Sequence, residues 1–141
     1  MKIRLLSMYA LIALAARGQT PPTDGTWLLT SDSCNEKSLI RRDDLQVRLT
    51  FNGNKLIQSY TFPERKCTLT APYSISSSPD NLTLTFIRPI TATSSNCGTL
   101  TISKSSRTYA YKHKDNTLVL TSKNTETCDK GQIAELTLTR Q

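Results

Sequence analysis

Apolar residues recur at every second position through most of the chain, with Thr and Ser between them, and this period of two most narrows what the chain can become. Side chains alternate across a strand, so the pattern gives each segment one apolar and one polar face; a helix would need spacings of three and four. Leu45, Val47, Leu49 and Phe51 share a face, and Asn52-Gly53-Asn54 then offers residues that tolerate the positive φ of a hairpin turn. The returning segment carries Leu56, Gln58, Tyr60 and Phe62, and after 63–66 come Cys67, Leu69, Ala71, Tyr73 and Ile75. A Ser-Ser-Ser-Pro-Asp-Asn turn leads to Leu82, Leu84, Phe86 and Arg88. Tyr109, Tyr111 and His113 enter an Asp115-Asn116 turn, Leu118 and Leu120 leave it, and Ala134, Leu136 and Leu138 form the last segment. With the segment around Trp27 and Leu29 this predicts eight strands, or nine if 98–103, with Leu100 and Ile102, pairs independently.

So many one-sided strands must close on themselves or stack, because each needs its apolar face covered and open edges invite aggregation. Parity favours closure: an eighth strand runs antiparallel to the first and can pair with it. The expected fold is all-β, an antiparallel up-and-down meander closing into an eight-stranded barrel. At 141 residues the chain has the length of one domain. The same count of strands sets Cys34, Cys67, Cys97 and Cys128 in connections at one end, a stapled mouth, and leaves the tight turns at the other.

Residues 1–18 read as a secretory signal peptide: Lys2 and Arg4 precede an apolar run from Leu5 to Ala16, and small residues follow. The run is too short for a bilayer core of about 30 Å, so no membrane span is expected. Leu14-Ala15-Ala16 resembles a lipoprotein box, but Arg17 stands where the lipidated Cys would be. The expectation is a soluble exported protein, periplasmic or extracellular, with its barrel domain over 19–141. In an oxidising compartment four Cys imply two disulfides, and three pairings are open. The Cys residues are about thirty apart with a single His, which is not the close spacing a metal loop needs, and no cofactor is expected. The net charge of +7 falls to +4 once Lys2, Arg4 and Arg17 leave with the leader, which removes the main electrostatic reason to expect nucleic acid.

The termini of the barrel segment resemble a family. Gly25-Thr26-Trp27 matches the Gly-x-Trp motif that opens the first strand of lipocalins, and Arg140 matches the arginine those proteins lay across that Trp. The order Gly25, Thr26, Trp27, Leu28, Cys34, then Tyr60, Phe62 and Cys67, is similar to small bacterial lipocalin-like exported domains. The resemblance implies a calycin-type barrel plugged at its narrow end by Trp27 under Arg140, a cation–π contact of about 0.5–2 kcal/mol. The helix that precedes the last strand of lipocalins has no counterpart in 122–131.

An eight-stranded barrel is either filled by side chains or holds one small ligand. The inward phase suggests a lining of Tyr60, Phe62, Tyr73, Phe86 and Tyr111, with Arg88 holding an acidic head group. Gln58, Arg88 and His113 share that apolar phase, where a polar group costs free energy unless it is bonded or reaches water at the rim. No triad spacing, phosphate loop, H-E-x-x-H or C-x-x-C is present, so a non-catalytic, monomeric protein is expected. The function expected is binding of a small apolar molecule, or a scaffold role. The rival is recognition or inhibition of an exported protein through the mouth loops 35–43, 63–66, 89–96 and 124–130, which carry Arg41, Arg42, Arg65, Lys66 and Lys130. Asn81-Leu82-Thr83 matches a glycosylation acceptor by chance.

Overall fold

A computed structural model describes residues 21–22, 24–38, 45–100, 102, 105–122 and 128–141. The leader at 1–18, Arg41 and Arg42 lie outside the described residues. Among the described residues there are ten strands: β1 (Asp24–Cys34), β2 (Lys37–Ser38), β3 (Gln46–Asn52), β4 (Lys55–Phe62), β5 (Cys67–Ser77), β6 (Asn81–Phe86), β7 (Thr91–Ala92), β8 (Ser106–Lys114), β9 (Thr117–Ser122) and β10 (Ala134–Arg140). Eight of them follow one another round an antiparallel sheet in the order β1, β3, β4, β5, β6, β8, β9, β10, and β10 pairs back with β1. The closed eight-stranded meander expected from the alternation is therefore the fold. The short β2 and β7 lie at the mouth end of β1 and β5. Among the described residues no helix is long and apolar enough to cross a membrane.

The alternation is written into the burial of each strand. Val47, Leu49 and Phe51 in β3, and Leu69, Ala71 and Tyr73 in β5, are buried while their neighbours are partly or wholly exposed. The outer face is tied across strands by hydroxyl pairs, Thr26 with Thr50, Thr61 with Thr68 and Thr83 with Thr108. Such pairs suit a wetted pleated wall. Tight turns join β3 to β4 and β8 to β9, and Gly53 takes φ +62 at the first turn residue, where hairpins favour glycine.

The possible ninth strand does not form among the described residues of 98–103. Residues 98–100 and 102 are irregular, because the chain leaves the wall after Phe86 and returns only at Ser106. On the way β7 lies against Leu69 and Thr70 of β5, and Ile90, Leu100 and Ile102 pack onto the core from the mouth side. The segment 87–100, with Ile102, is thus a cover over one side of the mouth rather than another piece of wall.

The four cysteines all lie at this end, as their place in the connections requires. Cys34 bonds Cys128, with Cα atoms 5.6 Å apart, and Cys67 bonds Cys97, with Cα atoms 5.3 Å apart. The first bond lies beside the seam between β1 and β10; the second anchors the cover to the start of β5. Loops of 94 and 30 residues give about 4.5 and 3.5 kcal/mol in the chain-entropy treatment. Urea denaturation without reductant should therefore show C34S/C128S losing about 4.5 kcal/mol and C67S/C97S about 3.5, the seam bond costing more.

Candidate functional site

The two ends of the barrel are built differently, and the difference defines the site. At the closed end Trp27 is fully buried, with Leu49 on one side in β3 and Arg140 on the other in β10. The Arg140 guanidinium carbon sits 4.8 Å from the centre of the indole, the cation–π clamp that the lipocalin resemblance implies. Gly25, two residues before Trp27, takes φ +91, a left-handed conformation that favours glycine; a Cβ there would sit in ordinary contact with Arg140 Nη1 at 3.6 Å. His113, half-buried near the end of β8, meets the indole edge to face at 5.3 Å, so this in-phase polar residue packs against the plug at that rim. Pro21 and the buried Pro22 lie over the same end, beside a recess of about 220 Å³ bordered by Gly53, Asn54, Ile75 and Leu82.

Tyr111 also belongs to the closed end. Its hydroxyl donates to the Pro79 carbonyl at 3.0 Å, tying β8 to the turn between β5 and β6. Burial, and secondarily the negative charge of Asp80, hold its phenol above the usual pKa. Tyr73 is deeply buried, with its ring 5.6 Å from that of Phe86. These two members of the expected lining are therefore part of the packed floor.

Toward the mouth the inner wall changes character. Every core-packed apolar side chain that keeps partial exposure, Ile75 excepted, lies in the middle or mouth half of its strand, beside it, or in the cover. Tyr60, Phe62 and Phe86 are in this group with Leu29, Leu45 and Leu136, and Tyr60 joins the main core to the cluster around Cys67 and Cys97. Arg65, in the 3-10 turn Pro63–Arg65, lies over the Phe62 ring at 5.3 Å. Tyr60 and Phe62 thus lie together at the mouth, around the Cys67–Cys97 bond, while Phe86, at the mouth end of β6, packs on Tyr73. Arg88 does not join them: β6 ends at Phe86, the inward phase ends with it, and Arg88 is exposed in the cover.

Two charged residues that the alternation left unassigned take inner positions instead. Arg107 pairs in register with the buried Leu84, and Tyr109 with the buried Leu82, so Arg107 faces inward near the mouth end of β8 and is half-buried. Extending the Tyr109, Tyr111, His113 phase two residues toward the N-terminus would have found it. Asp32 arrives by a β-bulge: Leu29 pairs with Leu138 but Ser31 pairs with Thr137, and the extra residue, Thr30, reverses the phase. Asp32 then lies opposite Leu136, and Cys34 opposite Ala134, on the inner face. Nothing in Leu29-Thr30-Ser31 announces the bulge.

Trp27 is the single tryptophan, so its environment can be read directly. R140M should lower the melting temperature by about 3–5 °C, the effect of roughly 1 kcal/mol in a domain of this size, and change the tryptophan emission. The raised Tyr111 pKa sets a second expectation. The unfolded phenol ionises from about pH 10, so above that pH the unfolded state is favoured and stability is lost as pH rises through the folded value. Urea midpoints between pH 9 and 11 should fall less steeply in Y111F than in the parent protein.

Comparison with protein-family models, with curated proteins and with solved structures finds no match.

Proposed function

We propose that this is an exported, lipocalin-like binding protein that takes a small apolar ligand into the mouth half of its barrel and performs no catalysis. One observation carries the reading: the packed floor around Trp27 contrasts with the partly exposed apolar side chains toward the mouth. Tyr60, Phe62, Phe86, Leu29 and Leu136 would line the ligand, and Trp27, Arg140, Tyr73 and Tyr111 would give it a rigid base. Burying such walls against a ligand is favourable at about 25 cal/mol per Å² of apolar surface removed from water. The cover formed by 87–100 and Ile102 supports the same reading, since Ile90, Leu100 and Ile102 present an apolar underside held by the Cys67–Cys97 bond. Two disulfides at the mouth fit folding in an oxidising compartment.

The exposed 3-10 turn Pro63–Arg65, presented between β4 and the disulfide-anchored start of β5, favours a second reading, recognition of an exported protein by rigid loops. The two separate in one titration. The neutral dye N-phenyl-1-naphthylamine should bind saturably, and F62D should weaken it at least tenfold, whereas I57D on the exposed outer wall should leave it unchanged. Absence of saturable dye uptake by the folded protein would overturn ligand carriage and leave the loop-recognition reading.

A further inference from the structure

We infer that the ligand is a neutral apolar molecule carrying a carboxamide, and that the Gln58 amide pairs with it. The inference rests on the ligand-carrier reading above and deepens it by naming the chemical class. Three polar residues share the inward apolar phase, and two have other places: Arg88 lies beyond the wall in the cover, and His113 packs on the Trp27 indole. Gln58 is the third. It pairs in register with the buried Leu49 on one side and the buried Ala71 on the other, so it stands on the inner face of β4. Leu49 in turn lies opposite Trp27, which puts Gln58 in the row of the wall that holds the plug. Four residues, about 13 Å of strand, separate it from Phe62 at the mouth end, farther than a glutamine side chain reaches. Gln58 nevertheless keeps partial exposure, although Leu49, Ala71 and the preceding inner-face residue Leu56 are all buried. Its accessible surface therefore belongs to space within the barrel, and Ala71, the smallest inner-face side chain of β5, helps to leave that space. Leu49, Leu56 and Ala71 have no side-chain polar group to offer, and among the described residues the Gln58 amide makes no hydrogen bond. An amide set among such neighbours gains from a partner that bonds both of its groups. Gln58 presents a donor and an acceptor side by side, the complement of a carboxamide, and carries no charge to attract an ion.

The test displaces N-phenyl-1-naphthylamine with 1-naphthamide and with 1-ethylnaphthalene, which share a ring and differ in whether the substituent can hydrogen-bond. The dye's own affinity is measured for every variant. Q58M keeps the length of the side chain and removes the amide; it should weaken 1-naphthamide at least tenfold and leave 1-ethylnaphthalene unchanged, the loss expected for two hydrogen bonds. Q46M, altered at an exposed outer position of β3, should leave both unchanged. An unchanged affinity for 1-naphthamide in Q58M, or an equal loss for both compounds, would overturn the inference and leave the carrier reading standing. One comparison needs no variant: in the parent protein N,N-dimethyl-1-naphthamide, which has lost the donor, should bind at least fivefold more weakly than 1-naphthamide, and equal binding would overturn the pairing. Saturable dye uptake with no displacement by 1-naphthamide would overturn the carboxamide class alone, whereas no dye uptake would fail the carrier reading itself. Circular dichroism and the thermal transition of Q58M, with Q58L as the second substitution, separate loss of the amide pairing from loss of the fold.

Discussion

The wall of this barrel assembles from neighbours, but its closure does not. Each strand from β3 to β6, and from β8 to β10, pairs with a strand a turn or a short connection away, while β1 must meet β10 with Leu28 opposite Thr139. Bringing positions so far apart together costs about 4 kcal/mol of chain entropy on the usual logarithmic scaling. Without that pairing two strands of alternating apolar residues would present open edges to solvent. The closing contacts therefore concentrate on the seam. Trp27 and Arg140 are directly opposed at one end of it, Cys34 and Ala134 at the other, and Cys128 reaches in from the preceding connection. The seam disulfide, which shortens the free loop of the unfolded chain, is of the magnitude needed to offset the closure.

The seam also divides the interior. Between Leu29 and Ser31 the bulge shifts β1 by one residue against β10, so the strand serves two phases. Below the bulge Trp27 and Leu29 face inward, Trp27 in the packed floor and Leu29 above it. Above it Asp32 and Cys34 do so. A strand without the bulge would turn Cys34 away from the interior, where it is now buried. One inserted residue thus lets a single strand both plug the closed end and present the seam disulfide at the mouth.

Much of this was legible in the residues. Alternation located all eight barrel strands because each is half-buried and its phase is unbroken across the turns. Strand parity set the four cysteines at one end, and the sequence order of Gly25, Trp27 and Arg140 anticipated the plug. What escaped reading was decided by tertiary structure. Arg88 continues the pattern of Leu84 and Phe86 on paper, but Ile87 turns to bond the Pro72 carbonyl and the chain departs to reach Cys67 through Cys97. Leu100 and Ile102 have strand spacing, yet they satisfy their apolar surface as a cover. Asp32 was hidden by a bulge of ordinary Thr and Ser, and Arg107 by the habit of starting a strand at its first aromatic residue. Tyr111 shared the phase of the mouth residues; its distance from them is a matter of height along the axis, which period-two alternation does not encode.

Both strands that border the seam run out at the closed end, where the Gln141 amide donates to the Thr26 carbonyl at 2.9 Å and Arg48 Nε donates to the Gln141 side chain. The polypeptide enters and leaves the barrel at the same pole, opposite the disulfides. Chain leading into Asp24 or on from Arg140 therefore joins the barrel at the pole opposite the mouth. The molecule has, in effect, a stem and a bell, and its polarity is set by the pairing of its first strand with its last.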